Sequence, residues 1–540
     1  MNQHAERLKR IEKLNQIGIA LSSEKDTPHL LEMILIGAKE ITNADGGTLY
    51  SVQENGTIKM EIVRTDSLNF AMGGTTGKPI PFPPIPLHDR EGNGNKHMVV
   101  TYAVLHDCTV NIPDAYNAEG FDFAGTRAFD NKTGYRSTSF LTVPMKNHEG
   151  DVIGVLQLLN AKDPATGQVI PFSEESQMLA ESLASQAAIA ITNRRLIDDL
   201  KNLLESLIQL IATAIDEKSP YTGGHCKRVP VLTMMLADAA HHDSSPAFRN
   251  FTMNEDQRYE LSIAAWLHDC GKITTPEYVV DKATKLETIY DRIHTIDTRF
   301  EILKRDAELE MVRKKLACHE SGIPVDETAL KEEYRNKIAA LEAERLFLHR
   351  SNTGSEFMAE ADQQRVHEIA QHHFTFNGET RPLLDDNEVY NLTISKGTLT
   401  PEERDIINNH IVATIKMLES LPFPKHLSQV PEFAGGHHER MDGKGYPRGL
   451  GEHEMSLQAR IMAIADIFEA LTARDRPYKP AKSLSESLHI LGLMKQEGHI
   501  DPDLFDLFIR EKIYHQYAQQ YLDSQQIDHV DESAIPGYAS

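Results

Sequence analysis

The sequence contains little cysteine and no long apolar run. Only four of its 540 residues are cysteines, and none of them belongs to a C-x-x-C pair. This usage favours a reducing compartment over a disulfide framework. No stretch of about 18 apolar residues occurs, so no membrane span is expected. The N-terminus, MNQHAERLKRIEKLNQ, also has no apolar segment of the kind that directs export. We therefore expect a cytoplasmic protein.

Positive charge is also scarce. The chain has 56 lysines and arginines against 80 aspartates and glutamates, which gives a formal net charge of −24. Such a surface repels polyanions, so DNA is not an expected partner. An anionic substrate requires a pocket that is locally positive.

The length of the chain, and the change in its pattern of apolar residues from one region to the next, indicate several domains. Residues 1–22 carry a helical apolar stripe, and residues 23–173 consist of short apolar runs separated by turn residues. The stretch SFLTVPMKNHEGDVIGVLQLLN in this region predicts a β-hairpin. An N-terminal α+β domain follows from this pattern.

A long helical pattern occupies residues 174–218, without glycine or proline. Its first half either lies on the sheet of its own domain or already belongs to a connecting helix. Its second half predicts a coiled coil between two subunits, and hence a parallel homodimer. The apolar stripe along this helix consists of Ile189, Ile191, Leu196, Leu200, Leu203, Leu207 and Leu210.

The remaining residues, 219–540, are almost entirely helical in pattern. A charged segment at 287–396 is predicted to form a helical hairpin with a turn near Gly322 and Pro324. We expect a packing or dimer-contact role for it, because its His372 and His373 have no matching ligands nearby in sequence. The first helix of this hairpin is predicted from the heptad-like spacing of Ile289, Ile293, Ile296, Phe300 and Leu303.

Histidines and aspartates of the C-terminal half occur in contexts that suit metal binding. These contexts are GGHCKRV, AAWLHDCGKI, NNHI, GGHHERMDGKGYPRGL and ARIMAIADIFEALTARDRPYK. Imidazoles and carboxylates favour iron, manganese or zinc, whereas a structural zinc site would use thiolates. An aspartate next to a histidine, as at His268-Asp269, can bridge two ions about 3.5–4 Å apart that share a water. The candidate ligands are His225, His268, Asp269, His410, His437, His438 and Asp466.

In this order the motifs resemble the HD-GYP family of metal-dependent phosphohydrolases, over about 205–285 and 396–515. The HD pair is His268-Asp269, and the GYP triplet is Gly445-Tyr446-Pro447. The resemblance implies two divalent ions, iron or manganese, and a third ion is not expected because Tyr221 replaces a glutamate that some members carry. One ion is assigned to His225, His268, Asp269 and Asp466, and Asp269 bridges to a second ion held by His410, His437 and His438.

The resemblance also implies hydrolysis of cyclic di-GMP to linear pGpG, with further cleavage to GMP left open. Two ions that share a water supply the attacking group, so no protein nucleophile is required. Lys272 is expected one turn beyond Asp269 on the same helix, where it offsets charge on the phosphoryl oxygens. The candidate substrate contacts are Lys272, Gly443, Gly445, Tyr446, Pro447, Arg476 and Lys479. The last two are alternatively surface charges at a helix end.

Two other functions stay open at this point. Cleavage of hybrid cyclic GMP-AMP depends on base contacts that the sequence does not identify. A catalytically silent cyclic-dinucleotide receptor is expected to lose HD or HH ligands, which this sequence keeps. The insertion at 287–396 replaces a loop that is short in most members, and it leaves all seven candidate ligands in place.

The stretch FDNKTGYRSTSFLTVPMKNHEGDVIGVLQLLNAK resembles the GAF modules of cyclic-nucleotide phosphodiesterases. It implies that residues 23–173 are a sensor for an unknown small molecule. Modules that bind cyclic nucleotides often carry an Asn-Lys-Phe-Asp-Glu set, whose first three members match Asn160, Lys162 and Phe172, with the acidic pair displaced to 174–175. Asn160 and Lys162 are therefore either ligand contacts or residues of a turn after a strand.

The expected fold is thus multidomain. An α+β GAF sensor domain precedes an all-α HD-GYP phosphohydrolase domain at 219–540, which carries the helical-hairpin insertion. A continuous helix at 174–218 connects the two and is expected to carry the effect of a sensor ligand to the hydrolase.

Overall fold

The computed structural model describes residues 2–218, 224–354, 357–474 and 481–538. By its internal contacts the chain divides into two units, Met1–Leu203 and Leu204–Ser540. The predicted substrate contacts Arg476 and Lys479, as well as Tyr221, lie outside the described residues. Within the described ranges, no helix combines the length and the apolar composition that crossing a membrane requires.

The first unit has the predicted α+β architecture, with one antiparallel sheet and helices packed on it. The strands are β1 (Ala44–Val52), β2 (Thr57–Thr65), β3 (Phe70–Gly73), β4 (Ile85–Pro86), β5 (Val110–Ile112), β6 (Phe140–Lys146), β7 (Val152–Lys162) and β8 (Val169–Ile170). The sheet order is β3-β2-β1-β7-β6-β5, with β4 beside β2 and β8 beside β7. The helices are α1 (Asn2–Ser23), α2 (Thr27–Thr42), α3 (Val99–His106), α4 (Ala124–Thr133) and the first part of α5 (Glu174–Lys218).

The predicted hairpin is formed by β6 and β7, in which Phe140 pairs with Leu159 and Lys146 pairs with Val152. Its inward side chains join a core between the sheet and helices α1, α2 and α5, because each of these elements presents one apolar face. The core includes Leu21, Ile34, Leu35, Leu49, Leu141, Leu156, Leu183 and Ala187.

Helix α5 is continuous over 45 residues and contributes to both units. Leu183 lies in the core of the first unit, and Ala212 and Ile215 lie in the core of the second. The division between the units falls after Leu203, inside this helix, and not at its ends. Between the two buried parts the leucines of the predicted stripe are 48 to 64% exposed, namely Leu196, Leu200, Leu203, Leu207 and Leu210.

The second unit is helical, with capping boxes that fix the beginnings of several helices. Asn254, Thr400 and Ser483 each accept a backbone N–H from a residue whose side chain bonds back to the cap, which is why α7, α13 and α17 begin where they do. The helices are α6 (His225–His242), α7 (Glu255–Leu267), α8 (Glu277–Val280), α9 (Ile293–Glu320), α10 (Glu327–Asn352), α11 (Glu360–Ala370), α12 (Asp386–Leu392), α13 (Pro401–Asn408), α14 (His410–Glu419), α15 (Val430–Gly435), α16 (Leu457–Thr472), α17 (Leu484–Gln496), α18 (Pro502–Arg510) and α19 (Ile513–Tyr521).

The insertion contains the predicted hairpin, formed by α9 and α10, and it has a core of its own. The core includes Ile296, Phe300, Leu341, Leu348 and Val366. The helical stripe was expected to begin at Ile289, but α9 begins at Ile293. Ile289 precedes the helix and is 97% exposed, so it contributes nothing to this core.

The insertion also contains two strands that an all-α expectation omits. They are β9 (His373–Phe376) and β10 (Glu379–Pro382), which pair antiparallel. Asn377 and Gly378 join them with positive φ angles of 53° and 81°. An Asn-Gly pair favours this turn because both residues tolerate positive φ, so the FNGE sequence was the signal for the hairpin.

Two buried lysines hold the insertion at its base. Lys282 Nζ donates to Asn391 Oδ1 at 2.9 Å and to Glu403 at 2.7 Å. Lys285 Nζ donates to the carbonyl oxygens of Leu392 and Ile394 at 3.0 and 2.8 Å. Burial lowers the pKa of Lys285 to about 8, since burial disfavours the charged form.

Candidate metal centre and sensor cavity

All seven predicted metal ligands come together in the second unit, at the ends of four helices and in the middle of a fifth. His225 and His410 are the first residues of α6 and α14, and His268 follows α7 directly. The pair His437-His438 follows α15, and Asp466 lies within α16. Helices thus supply rigid supports for every ligand, which a precise site requires.

The first cluster consists of four buried side chains, His225, His268, Asp269 and Asp466. His225 Nε2 lies 3.2 Å from both Asp269 Oδ2 and Asp466 Oδ1. His268 Nε2 lies 3.1 Å from Asp269 Oδ2 and 3.3 Å from His225 Nε2. Two imidazole nitrogens and two carboxylate oxygens therefore converge on one point.

The second cluster shares Asp269 with the first and adds His410, His437 and His438. Asp269 Oδ1 lies 3.2 Å from His410 Nε2, whereas its Oδ2 faces the first cluster. His438 Nε2 lies 3.2 Å from His410 Nε2. One carboxylate thus offers an oxygen to each cluster, which is the bridging arrangement of a two-metal site.

The hydrogen bonds of the histidines fit metal ligation. Nδ1 of His268 lies 2.7 Å from the carbonyl oxygen of Ala265, and Nδ1 of His437 lies 2.6 Å from that of Ala434. A ring that donates its Nδ1 proton to a carbonyl presents a lone pair at Nε2. His437 Nε2 and Asp269 Oδ1 are buried without a hydrogen-bond partner in the described part of the chain. A divalent cation satisfies such a set of converging lone pairs.

Glu469, a residue that the motifs did not identify, orients His225. Its Oε2 contacts Nδ1 of His225, and its Oε1 accepts a hydrogen bond of 2.6 Å from Arg228 Nε. A carboxylate behind a ligating imidazole fixes its tautomer and raises its basicity. The signal was a glutamate three residues after the ligand Asp466, on the same face of α16.

The pKa values of the site reflect its concentration of buried charge. Burial opposes protonation of His268, but Asp269 and Asp466 outweigh it and raise its pKa to about 9. Burial also opposes ionisation of Asp269, but Lys272 and His268 hold its pKa well below the usual range. Burial and the neighbouring His268 lower the pKa of His437 to about 4. The first cluster is therefore the more negative half of the site.

Lys272 lies beside Asp269, although not on the predicted helix. Helix α7 ends at Leu267, and Lys272 belongs to a separate 3₁₀ turn over Cys270–Thr274. In this turn Gly271 packs closely on α14, where an added Cβ would lie 2.0 Å from the carbonyl oxygen of His410. The turn brings Lys272 Nζ into contact with Asp269 Oδ2.

The glycine-rich loop packs on the second cluster. The ring of Tyr446 stacks on that of His438 with a centroid distance of 4.8 Å. At Gly445 a Cβ would lie 2.4 Å from the Cα of Glu439, so only glycine allows this approach. Glu439 in turn accepts the N–H groups of Arg448 and Leu450 at 2.8 and 3.0 Å, which closes the loop.

A cavity of 680 Å³ opens on the metal ligands. Of the predicted substrate contacts, Lys272, Gly445 and Tyr446 line it, whereas Gly443 and Pro447 do not. Its wall also includes polar and cationic groups that the sequence did not single out, namely Arg228, Asn408, Arg440, Lys444 and His499. Arg228, Arg440 and Lys444 bring positive charge to this wall, where Arg228 is paired with Glu469 and the other two with Asp442.

The first unit contains a separate cavity of 410 Å³. Its wall is mainly aromatic and aliphatic, and none of its described lining residues is a lysine, an arginine or a histidine. The lining includes Tyr50, Phe70, Phe123, Phe129, Phe140 and Gln157. Asp122 lies at its edge, where Oδ1 accepts the N–H of Ala124 at the beginning of α4. The cavity thus offers little to an anion.

The two sensor residues predicted from the sequence lie outside this lining. Asn160 has a positive φ of 53°, and its Oδ1 accepts the N–H of Thr138 at 2.7 Å. Its Nδ2 donates to the carbonyl oxygen of Arg136 at 2.8 Å. Lys162 Nζ forms an ion pair with Asp45. Both side chains are therefore engaged in holding the end of β7.

Comparison with known families identifies two domains in the chain. Residues 26–191 match the GAF domain family, and residues 387–504 match the HD domain family. The chain therefore carries a GAF domain followed by an HD domain, as the motifs predict. The HD match begins inside the insertion and includes His410, His437, His438 and Asp466.

Several curated proteins are similar to parts of this chain. 3'3'-cGAMP-specific phosphodiesterase 1 of Vibrio cholerae is 47% identical over 94 residues, or 17% of this chain and 20% of that protein. A probable cyclic di-GMP phosphodiesterase of the same organism is 36% identical over 141 residues, or 25% and 32%. The cyclic di-GMP phosphodiesterase of Thermotoga maritima is 36% identical over 119 residues, or 22% and 32%. The matches thus span about a fifth to a third of these relatives.

Proposed function

We propose that the chain is a metal-dependent phosphodiesterase of the HD-GYP type that linearises a cyclic dinucleotide under the control of its GAF domain. The observation that carries this proposal is the pair of ligand clusters that share Asp269. A bridging carboxylate between two imidazole-rich clusters suits hydrolysis of a phosphodiester, because two ions can bind both the attacking and the leaving oxygen. The names of the relatives support the same reaction class.

The donor set suits two iron or manganese ions, which when bound supply a nucleophilic water at neutral pH. His225, His268 and Asp466 would hold one ion and His410, His437 and His438 the other, with Asp269 common to both groups of ligands. Glu469 keeps His225 in the ligating tautomer. Lys272 Nζ contacts the carboxylate of Asp269 and offsets the charge that develops on the phosphoryl oxygens.

The pocket around the clusters suits an anionic substrate with two phosphates. Arg440 and Lys444 come from the glycine-rich loop, and Asn408 comes from the end of α13. The same pocket is lined by apolar side chains of α17, Ile490 and Met494, against which a purine base can pack. A volume of 680 Å³ lies within the usual range of about 300–1,000 Å³ for ligand pockets.

Cyclic di-GMP is the proposed substrate, and hybrid cyclic GMP-AMP is the second candidate. One relative is named for cyclic di-GMP and another for 3'3'-cGAMP, and the two have similar identity to this chain over comparable lengths. A silent receptor is a weaker alternative, since all seven candidate ligands are retained and lie together in two clusters. The protein loaded with manganese or iron is incubated with each cyclic dinucleotide, and the products are separated. We expect a linear dinucleotide from cyclic di-GMP, and cleavage of none of them would refute the proposed activity.

We also propose that α5 pairs with α5 of a second copy in a parallel coiled coil. Its exposed leucines recur at alternating steps of four and three residues, which is the a/d pattern of a two-stranded coil. These exposed leucines are Leu196, Leu200, Leu203, Leu207 and Leu210. Pairing removes from water a row of side chains that are each at least 48% exposed in the single chain.

The GAF domain is proposed to bind an uncharged, flat, mainly apolar molecule in its 410 Å³ cavity. Burying a phosphate without a cation nearby is costly. The positive end of α4 is already capped by the carboxylate of Asp122, which repels an anion there. Tyr50 and Gln157, whose side chains lie 3.3 Å apart, provide hydrogen-bonding groups in the wall.

A further inference from the structure

The last turn of α5 is anchored in the core of the second unit. Ala212 and Ile215 are 0% and 4% exposed and belong to this core, and Asp216 is buried beside them at 6% exposure. The end of the helix is therefore fixed within the unit that holds the metal ligands. It also carries two charged side chains, Asp216 and Lys218, whose partners lie next to those ligands.

Asp216 holds the segment that carries His225. Its Oδ2 accepts the N–H of Gly224 at 3.0 Å, and its Oδ1 accepts the N–H of Cys226 at 3.4 Å. The first N–H groups of a helix have no partner inside the helix, and Gly224 has no side chain that could cap them. A carboxylate from α5 therefore fixes the backbone on both sides of a metal ligand, and its charge suits the positive end of α6.

Lys218 holds the segment that follows Asp269. Its Nζ donates to the carbonyl oxygens of Lys272, Ile273 and Thr275 at 3.3, 2.6 and 2.6 Å. Hydrogen bonds from an ammonium group to several carbonyls of one turn restrict the orientation of that turn. The same turn presents Lys272 to Asp269.

We infer that Asp216 and Lys218 are positioning residues through which α5 sets the geometry of the metal centre. Two side chains from one helical turn hold the two backbone segments that carry His225 and Lys272. A rotation or axial shift of α5 therefore displaces both segments together. Neither residue needs to touch substrate, since each acts through the backbone segment to which it is hydrogen-bonded.

The inference deepens the proposed function, because it rests on the centre being a phosphodiesterase, and it specifies the contacts through which the helix acts. A purely structural role as helix caps predicts only a loss of stability when either residue is changed. A positioning role predicts in addition that a displacement of α5 loses its effect on turnover once the contact is removed. A double-mutant cycle separates these two roles.

The experiment uses the full-length protein loaded with Mn²⁺ and the general phosphodiester bis(4-nitrophenyl) phosphate. Four proteins are compared: wild type, K218M, the conservative K218R and the control E217Q, which changes an exposed neighbour. Each is also made with four helix-forming residues inserted after Asp199. This insertion rotates the downstream helix by roughly one turn plus 40°.

We expect the insertion to change kcat by at least about fivefold in wild type, K218R and E217Q, which is the lower end of typical coupling between sites. In K218M the insertion changes kcat by less than about twofold, because the contact of Lys218 that transmits the displacement of α5 is absent. K218M alone lowers kcat with unchanged metal content and KM. D216N, which keeps the side-chain shape, provides a second variant that loses the response if K218M does not fold.

An equal fold-change in wild type and K218M would overturn the inference, as would an insertion without effect on the wild-type rate. Failure of the proposed function has a different signature. In that case the protein cleaves bis(4-nitrophenyl) phosphate but no cyclic dinucleotide, while the response of kcat to the insertion still depends on Lys218.

Discussion

Asp269 Oδ1 lies 3.2 Å from Nε2 of His410, and this contact joins two ligand clusters that otherwise share no residue. Both side chains are buried, with 2% and 4% of their side-chain surface exposed. His410 begins α14, and Gly271 lets the turn after Asp269 pack on the same helix end. The short distance is therefore a product of helix packing and of one glycine.

Lys272 is expected to act in turnover and not in metal binding. In K272M the side chain keeps its length and apolar stem but loses the charge that faces the phosphoryl oxygens. Removal of such a group costs about 10²- to 10³-fold in kcat. Metal content is measured on the same samples and stays at the wild-type value. The matched control K416M changes an exposed lysine of α14 and keeps full activity. Loss of metal from K272M would assign Lys272 to the support of Asp269 instead.

Glu469 is expected to set the affinity of the first cluster for metal. In E469Q the amide keeps the shape and can accept the proton of His225 Nδ1, but the negative charge behind the imidazole is lost. Changes behind a ligating histidine typically weaken metal binding by about 10- to 100-fold. A chelator competition titration measures this shift, with E452Q as an exposed control. If the two variants retained metal equally well, Glu469 would have no role in ligation.

The sequence identifies the residues that the structure brings together in the two candidate metal clusters, because ligand chemistry restricts the residue types at each position. His268-Asp269 and His437-His438 stand out as adjacent ligands even though their partners are far away in the chain. Glu469 was missed because its role depends on contact with His225, which is 244 residues away. Its role is visible only when α6 and α16 are packed together.

For the two candidate sensor residues, the sequence pattern alone leaves two roles open. Asn160 and Lys162 match a ligand-binding pattern, but the same residue types also complete a turn after a strand. The structure has them bonded to Thr138 and Asp45. Sequence alone does not reveal which polar side chains face a cavity, because this depends on the pairing of β1, β6 and β7. The cavity wall instead consists mainly of residues that a sequence pattern assigns to the core.

The sensor cavity is expected to prefer neutral aromatic molecules to cyclic nucleotides. Titration calorimetry on the full-length protein compares indole with cyclic AMP and cyclic GMP. We expect binding of indole alone, since no cation lines the described cavity wall. T126W places an indole ring at a lining position and should abolish this binding. A128W, on the exposed side of the same helix, is the control. Tighter binding of a cyclic nucleotide than of indole would contradict the proposed ligand class.

Lys285, at the base of the insertion, predicts a pH dependence of protein stability. Its pKa is lowered from 10.5 to about 8 by burial. Between these values the folded protein has released the proton while the unfolded chain keeps it, so the free energy of unfolding rises with pH. The increase is roughly 1.4 kcal/mol for each pH unit between about 8 and 10.5. Below about pH 8 the cost of the buried charge is fully present.

Thermal unfolding of wild type and K285M at pH 7 and pH 9.5 tests this dependence. The difference in melting temperature should move in favour of wild type at the higher pH, because methionine has no proton to release. K396M, which changes an exposed lysine near the end of the insertion, should follow wild type at both pH values. A difference between wild type and K285M that is independent of pH would show that Lys285 does not titrate in this range.

The most direct test of the account counts metal ions and measures cleavage on the same protein samples. Wild type and D269A are freed of metal, reconstituted with Mn²⁺, desalted, and assayed for bound metal and for hydrolysis of cyclic di-GMP. Because Asp269 is the one ligand common to both clusters, the account predicts two ions per chain and a linear dinucleotide product for wild type. It predicts loss of bound metal and no product for D269A. Full metal content and normal turnover in D269A would contradict the shared-carboxylate centre on which the proposed function rests.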